Sequence, residues 1–258
     1  MAAPDNDANH TAFRALLELA DDCLVLGHRL SEWCGHAPTL EEDLALANMG
    51  LDLLGQARAL YAHAGEIEGK GRSEDDLAFL RRERDYRNCL LVERPNGDFA
   101  VTMLRQLYFA AFMEPYWRDI AESSTDADLR GIAAKAQKEM AYHLRHAGEW
   151  VIRLGDGTGE SAAHMAAAAT ELHRYTGELF MASPVRTEAV AAGLLPDPEN
   201  LREAWDDTIA TVFRTAKLTA PEVRVHQKGG RDGLHGEDMG HLLAELQFMQ
   251  RAYPGLSW

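Results

Sequence analysis

The stretch TLEEDLALANMGLDLLGQARALYAHAG, residues 39–65, has the pattern of one long amphipathic helix. Thr39-Leu-Glu-Glu42 has the spacing of a capping box, in which side chains satisfy the free backbone N–H groups at a helix start. Apolar residues then recur every three or four positions, and Gly65 is a residue type that ends helices. The predicted core-facing stripe consists of Leu44, Ala47, Leu51, Leu54, Arg58 and Tyr61. The stretch therefore predicts a helix from Leu40 to about Gly65.

Similar helix signals recur along the whole chain, whereas alternating strand patterns hardly appear. The first predicted helix runs along Phe13–Ser31, and the second is the helix described above. The third begins at the cap Ser73 and carries Leu77, Leu80, Leu90 and Leu91, and the fourth follows Asp98 and is kinked at Pro115. The fifth runs from Thr125 to Gly155, a sixth ends near Phe180, another follows Asp197-Pro198, and the last runs from Glu237 to Tyr253. The one long irregular loop is HQKGGRDGLHGED, residues 226–238.

These signals predict an all-α fold that forms a single domain over residues 1–258, with residues 1–10 as a disordered N-terminal extension. The first, second, fourth and fifth helices are expected to form a four-helix-bundle core, with additional long helices around it.

Composition limits the classes of partner. The chain has 258 residues, 46% of them apolar, and 41 acidic against 26 basic residues give a net charge of −15. This charge repels nucleic acids and anionic membranes, so neither is expected as a partner. Cys23, Cys34 and Cys89 are odd in number and lack CxxC spacing, which is typical of reduced thiols in a cytoplasmic protein. The N-terminus has no signal-peptide pattern, and no apolar run is long enough for a membrane helix.

The stretch KEMAYHLRH, residues 138–146, raises the question of a metal site, because a helix would place Glu139, His143 and His146 along one side. Bundles that hold two iron or manganese ions use one Glu from each of two helices and a Glu-x-x-His pair from each of the other two. The acid-x-x-His pairs of this chain are Asp7/His10, Asp232/His235 and Asp238/His241. They are about as frequent as random placement predicts, and none lies in a predicted core helix.

The core helices carry only fragments of such a ligand set. The candidates for a degenerate di-iron site are Asp21, Asp52, Gln106, Glu139, Tyr142 and His143. Gly55 stands three residues after Asp52, and Tyr142 three residues after Glu139, where histidines would be needed. The sequence therefore predicts neither catalytic nor metal-binding residues in this chain. It favours a half-buried His143 that is hydrogen-bonded to a neighbouring acid, with a single ion at Glu139 and His143 as an open alternative.

A run of arginines follows the third helix start. Arg81, Arg82, Arg84 and Arg87 could grip phosphate groups, but acids are interleaved with them. A solvated helix face is therefore the favoured interpretation of this run, and an anion site is the alternative.

Five stretches carry a resemblance to a known family: LGHRLSEWCGHAPTLEEDLALANMGLDLLGQARAL (26–60), LVERPNGDFA (91–100), KEMAYHLRHAGEWVIRLGDGT (138–158), YTGELF (175–180) and GGRDGLHGEDMGHLLAELQFMQRAYPGLSW (229–258). They resemble the C subunits of 1,2-phenylacetyl-CoA epoxidases, the phenylacetic acid degradation protein C family. The chain departs from this family by Gly236-Glu237-Asp238, where Thr-Glu-His is expected, and by about ten extra N-terminal residues.

The resemblance implies a ferritin-like fold and the role of a non-catalytic structural subunit in aerobic phenylacetate catabolism. In that family a catalytic A subunit holds the di-iron site, the oxygenase also has a small B subunit, and a reductase with FAD and an iron–sulfur centre supplies electrons from NADPH. The chain itself would hold no cofactor, and a homodimer in isolation is possible. The alternatives are a self-sufficient di-iron oxidase with atypical ligands, and a stand-alone binding or storage bundle.

A structural subunit needs an apolar contact surface. The sequence candidates are two groups of side chains: Tyr108, Phe109, Phe112, Tyr116 and Trp117 in the fourth helix, and Phe248, Tyr253 and Trp258 near the C-terminus. For most of the fourth helix, burial in the core is the favoured interpretation.

Overall fold

The computed structural model describes residues 4–256, with side chains from Ala8 onward, and within this range the chain forms eleven α-helices and no strand. The helices are α1 Pro4–Ser31, α2 Leu40–Glu68, α3 Glu74–Phe79, α4 Leu90–Glu93, α5 Phe99–Ser123, α6 Ala127–Gly155, α7 Gly159–Leu172, α8 Pro184–Ala191, α9 Arg202–Thr215, α10 Glu237–Leu246 and α11 Phe248–Ala252. Short 3₁₀ segments lie at Glu83–Asp85, His173–Phe180, Pro198–Leu201 and Gly230–Asp232. The predicted all-α fold is confirmed.

The four core helices are the predicted ones. α1 packs along α2, α5 packs along α6, and α2 and α6 join the two pairs. Their N-termini are closed by side chains, since Thr39 accepts the backbone N–H of Glu42 and Asp98 accepts that of Val101. α2 continues past Gly65 to a C-cap at Gly69, whose φ of 66° favours glycine. α6 begins after Asp126, one residue later than predicted.

The buried face of α2 is not the predicted one. Leu44 and Leu51 are 58% and 65% exposed, whereas the buried residues include Leu46, Met49, Leu53, Gln56, Ala57, Leu60, Tyr61 and Ala64. The contact with α1 decides this phase, because a Cβ on Gly27 would lie 3.2 Å from the Gly50 carbonyl oxygen. Because the two helices approach so closely at Gly27 and Gly50, α2 can pack against α1 in only one rotation about its own axis.

The predicted third helix is broken into two short ones. α3 ends at Phe79, and an irregular segment that includes one 3₁₀ turn leads to α4. The cause lies in α1, where the carboxylates of Asp21 and Asp22 accept the backbone N–H groups of Arg87 and Cys89, both at 2.7 Å. These tertiary bonds replace the helical bonds that the local sequence favours.

The second half of the chain also differs in detail from the prediction. The sixth predicted helix ends as an α-helix at Leu172 and continues as a 3₁₀ segment to Phe180. α8 was not predicted, although Pro184 occupies its first turn, where proline is favoured. The last predicted helix is divided at Gln247 into α10 and α11.

Both chain ends bear on the sequence predictions. Residues 1–10 were predicted to be disordered, whereas α1 begins at Pro4, and residues 1–3 lie outside the described part of the chain. Among the described helices, none is both long and apolar enough to cross a membrane.

Candidate functional site

The centre of the bundle, where a metal would bind in a di-iron protein, is lined by buried side chains from all four core helices. These inner residues are Cys23 from α1, Leu53 and Gln56 from α2, Gln106 from α5, and Met140 and His143 from α6. Each inner pair on α2 and α6 is three residues apart, so both members lie on one face of their helix.

His143 is the middle member of a hydrogen-bonded chain that runs from the core to the surface. Its Nδ1 lies 3.0 Å from the Gln106 side-chain amide nitrogen, and its Nε2 lies 3.1 Å from the Asp52 carboxylate. With its proton on Nε2, the imidazole accepts from Gln106 and donates to Asp52. His143 is completely buried and not half-buried as predicted, because Asp52, at 35% exposure, is the member of the chain that reaches the surface. The predicted bond to an acid is present, and the acid comes from α2.

A second chain of contacts crosses the same bundle through Gln56. The Cys23 thiol approaches the Gln56 amide oxygen at 3.5 Å, and the Gln56 amide nitrogen donates to Glu139 at 2.8 Å. Lys135 pairs with Glu139 from the solvent side at 3.3 Å. Burial, together with the nearby carboxylates of Asp22 and Glu139, raises the pKa of the Cys23 thiol well above its usual value. The thiol therefore stays protonated and is a poor metal ligand or nucleophile.

Asp21 belongs to a separate buried ion pair. Its carboxylate accepts hydrogen bonds from the Arg81 guanidinium, the Tyr61 hydroxyl and the backbone N–H of Arg87. The distance from Arg81 Nη1 to Asp21 Oδ2 is 3.0 Å. Arg81 in turn lies over the rings of Tyr61 and Tyr86, at 5.3 Å and 4.2 Å from their centroids. Burial, followed by the charge of Asp21, raises the pKa of Tyr61, so its hydroxyl remains a donor. Three donor groups thus make four hydrogen bonds to this carboxylate, two of them from Arg81, and leave it engaged inside the protein.

The six sequence candidates are thus only partly brought together. Asp52, Gln106 and His143 form one hydrogen-bonded group, Glu139 contacts Gln56, and Asp21 is bound elsewhere. Tyr142 is 38% exposed and lies on the outer side of α6. Next to it, His146 pairs with Glu42 at 3.0 Å, and burial lowers its pKa although Glu42 opposes this shift.

Four members of these networks were not predicted from the sequence: Cys23, Gln56, Tyr61 and Arg81. Gln56 was missed because the predicted stripe on α2 placed it on the solvent side. Arg81 could not be found from spacing, because it lies 60 residues from the carboxylate it contacts.

The donor set at the bundle centre does not fit a di-iron site. The inner pair on α2 is Leu53 and Gln56, and the inner pair on α6 is Met140 and His143. These positions offer one imidazole and one amide. Two carboxylates reach them from neighbouring positions, but Asp52 is bound to His143 and Glu139 to Gln56. A di-iron site of this class requires four carboxylates and two histidines, so the set is incomplete. The register differs by one residue from the predicted one, in which Gly55 and Tyr142 stood at the histidine positions.

Within the described residues, the one cluster of three or more His, Cys, Asp or Glu ligand atoms within 4.8 Å of one another lies outside the bundle centre. It consists of His63, Asp126 and Asp128, with His63 Nε2 2.7 Å from Asp126. Asp126 also caps α6 by accepting the backbone N–H groups of Asp128 and Leu129. Its carboxylate is therefore accounted for as part of the helix start.

The glycine-rich loop of residues 226–238 acts as a clamp, which is anchored in the interior by its buried residues 229–231 and Gly233. Glu178 accepts the backbone N–H groups of Gly229 at 2.8 Å and Leu90 at 2.7 Å. Arg231 reaches inward and donates to Asp22 at 2.6 Å. His235 contacts Glu93 at 2.7 Å through Nδ1 and the Tyr86 carbonyl at 3.2 Å through Nε2. The loop therefore ties α1, α4 and the irregular segment together.

Comparison with known proteins agrees with the resemblance found in the sequence. A family model described as phenylacetic acid catabolic protein matches residues 1–258. The chain is also 48% identical over 242 residues to the C subunit of the 1,2-phenylacetyl-CoA epoxidase of Escherichia coli (strain K12). This alignment covers 94% of the chain and 97% of that relative.

Proposed function

This chain belongs to the phenylacetic acid catabolic protein family, and we propose that it is the structural subunit of a multicomponent 1,2-phenylacetyl-CoA epoxidase, in which it pairs with and supports a catalytic subunit. The complex would act in aerobic phenylacetate catabolism in the cytoplasm. The ferritin-like bundle of this chain would serve as a partner surface and a scaffold.

The donor set at the bundle centre is the observation that carries this proposal. Leu53 and Met140 stand at inner positions where a di-iron protein needs carboxylates, and Gln56 stands where it needs a histidine. The polar groups that remain bind one another, as in the contact of His143 with Asp52. A chain with this core would leave oxygen activation to the di-iron site of the A subunit. The B subunit and a reductase that uses NADPH, FAD and an iron–sulfur centre would complete the system.

An exposed apolar face supports the structural role. We define the α2 leucine stripe as Leu40, Leu44 and Leu51, which are 70%, 58% and 65% exposed. Tyr142, on the neighbouring helix α6, is a further exposed apolar side chain, at 38%. Exposed charged residues lie on the same two helices, such as Arg58 on α2 and Lys138 on α6. Exposed apolar side chains together with charged ones are typical of a protein contact, which has an apolar centre and a polar rim. We place the contact with the catalytic subunit on this face.

The contact candidates named from the sequence have different positions. Tyr108, Phe109, Phe112, Tyr116 and Trp117 are buried in the core, as favoured for most of that helix. Phe248 and Tyr253 are 60% and 49% exposed, and Trp258 lies outside the described residues. The C-terminal surface therefore remains the competing location for a partner contact.

The test is metal analysis and turnover of the purified chain, alone and after co-expression with a catalytic A-type subunit. We expect the isolated chain to hold far less than one iron per molecule and to consume no NADPH with the reductase and phenylacetyl-CoA. The co-expressed complex should copurify, contain iron and form the epoxide. Close to two irons and turnover in the isolated chain would instead establish a self-sufficient oxidase, and failure to copurify would favour a stand-alone bundle.

A further inference from the structure

A cavity of about 330 Å³ opens between the N-terminal half of α1, the chain around residues 72–87 and α8. Four of its nine lining residues are arginines: Arg14, Arg72, Arg81 and Arg87. Two of them, Arg81 and Arg87, belong to the arginine run of residues 81–87, for which the sequence favours a solvated helix face and leaves an anion site as the alternative. Arg82 and Arg84 of that run are exposed and do not line the cavity, so the favoured prediction of a solvated face is correct for these two residues. It is wrong for Arg81, which is buried.

Two of the four lining arginines are neutralised by carboxylates of the chain, Arg81 in the interior and Arg72 nearer the surface. Arg81 is paired with Asp21, and Arg72 is bound to Glu68, at 2.7 Å through its Nε. The acidic lining residue Glu18 is also engaged, because its two oxygens contact Ser183 at 3.0 Å and Arg186 at 2.9 Å. These groups form the cavity wall without adding a free charge.

Arg14 and Arg87 are different, since neither contacts a carboxylate of the described residues. Arg87 Nη1 donates to the backbone carbonyls of Arg84 at 2.6 Å and Tyr86 at 2.7 Å, which are neutral acceptors. Arg14 has no hydrogen bond or ion pair to any residue that the structure describes, and it is exposed. The remaining acid in the lining, Asp85, accepts the backbone N–H of Arg82 at 3.0 Å. Among the described residues, the cavity thus has two guanidinium groups without a carboxylate partner and one carboxylate, Asp85, without a cationic partner. The lining therefore keeps an excess of positive charge, although the chain has a net charge of −15.

The rest of the lining is apolar. Phe13, Leu17 and Val185 face the cavity, and the Arg72 guanidinium lies over the Phe13 ring at 5.4 Å from its centroid. Guanidinium groups bind carboxylates and phosphates through paired N–H donors, while an apolar wall binds a hydrocarbon part. The volume lies at the small end of the range of ligand cavities. The chemistry matches a compact molecule with one anionic end and one apolar end.

We propose that this cavity binds a small organic anion, with its carboxylate or phosphate group between Arg14 and Arg87 and its apolar part against Phe13 and Leu17. The site lies on the α1–α8 side of the molecule and uses none of the residues at the bundle centre or in the α2 leucine stripe. The inference is therefore independent of the proposed structural role.

Isothermal titration calorimetry of the full chain with four probes tests the site. Hexanoate and hexyl phosphate carry the same apolar part with either anionic group, hexanol lacks the charge, and inorganic phosphate lacks the apolar part. We expect at least one of the two hexyl anions to bind, to bind more tightly than inorganic phosphate, and to weaken as salt is added, while hexanol does not bind. The preferred hexyl anion then identifies the charged group of the ligand.

Arginine variants provide the matched comparison. Arg14→Gln and Arg87→Gln should each weaken binding about tenfold, the effect of losing one charge-assisted hydrogen bond. Arg224→Gln removes an exposed arginine outside the cavity and should leave the affinity unchanged. Because Arg14 has no partner within the described residues, its variant keeps the fold, and thermal denaturation checks this. The proposal is overturned if neither hexyl anion binds at millimolar concentration, or if the Arg14 and Arg224 variants bind alike.

Discussion

At the scale of single residues, a short stretch of α1 carries three buried carboxylates. Each of these carboxylates is paired with an arginine from a distant part of the chain: Glu18 with Arg186, Asp21 with Arg81, and Asp22 with Arg231. Such pairs contribute little net stability compared with apolar contacts, but removal of one partner leaves a buried charge uncompensated. They therefore specify which segments pack on α1.

The Asp21–Arg81 pair gives a direct prediction. Asp21→Ala should lower the free energy of unfolding by about 3–5 kcal/mol, because Arg81 would remain buried without a counter-charge. The measurement is urea denaturation followed by circular dichroism. Arg58→Ala is the matched control, since Arg58 pairs with Glu74 at 3.3 Å with its side chain 77% exposed, and it should cost less than about 1 kcal/mol. Equal costs for the two variants would contradict the role of the buried pair.

His235 provides a pH-dependent contribution to stability. Both of its ring nitrogens face acceptors, the Glu93 carboxylate and the Tyr86 carbonyl, so the protonated ring donates to both. Burial lowers the pKa of His235, but the hydrogen bond and charge of Glu93 outweigh burial, and the pKa is raised. A raised folded-state pKa gives stability that is fully present below the unfolded value of about 6.5 and is lost as pH rises through the folded value.

The His235→Gln variant tests this dependence. It should cost about 2 kcal/mol at pH 6, the size of a buried hydrogen bond to a charged group, and clearly less at pH 9. Urea denaturation of both proteins between pH 5 and 9 gives the difference in free energy of unfolding. A difference that stays constant or grows with pH would show that His235 is held as a neutral ring. His36→Gln, at an exposed histidine, should show no such trend.

At the scale of helices, α2 shows how far the sequence could predict the site. Its leucines occupy two faces, with Leu46 and Leu53 on one and Leu44 and Leu51 on the other. Apolar periodicity therefore supports two rotations equally, and the glycine contact between α1 and α2 selects one of them. The wrong rotation concealed Gln56, while Gln106 and His143 were found because their helices have a single apolar face or are buried all round.

The inner register of α2 and α6 can be tested by restoring a ligand set. Leu53→Glu, Gln56→His and Met140→Glu together would complete two Glu-x-x-His pairs on the inner faces. This triple variant should be strongly destabilised without metal, because its new carboxylates are buried, and should regain stability when Co²⁺ is added. Thermal denaturation with and without Co²⁺ is the measurement. The control is the double variant Gly55→His with Tyr142→His, which completes the two acid-x-x-His pairs in the register predicted from the sequence. It should gain no stability from Co²⁺. If Co²⁺ stabilises the double variant as much as the triple variant, the inner register is wrong.

The glycine-rich clamp was the least predictable element, because its role depends on contacts with segments far away in the sequence. A Cβ on Gly230 would lie 2.2 Å from the Asn88 carbonyl oxygen, which belongs to the backbone. Gly230→Ala should therefore cost at least about 2 kcal/mol of unfolding free energy, as the clamp is displaced. Gly131→Ala is the control, since nothing lies within 4 Å of its Cβ position in α6, and it should stabilise by about 0.5–1 kcal/mol. Hydrogen exchange at residues 88–93 would show whether the loss is local to the clamp.

At the scale of the whole molecule, the family and the all-α fold could be predicted because both depend on patterns spread over the full length. The partner surface could not be predicted, because the sequence does not distinguish a leucine that is exposed from one that lies in the core. In the structure, two exposed apolar surfaces compete for this role, namely the α2 leucine stripe and the surface around Phe248. Substitutions that place a charge on each surface can separate them.

Leu44→Glu and Leu51→Glu place charges on the α2 leucine stripe, where both side chains are more than half exposed. Each variant should keep the unfolding free energy of the parent within about 0.5 kcal/mol, because surface substitutions seldom change it further. Each should nevertheless weaken association with the catalytic subunit at least about tenfold, since a charge buried in an apolar contact without a partner is costly. Copurification and light-scattering titration measure this, with Phe248→Glu as the matched charge on the competing surface. If Phe248→Glu separates the subunits and the stripe variants do not, the contact lies at the C-terminal surface, and the structural role remains while its location changes.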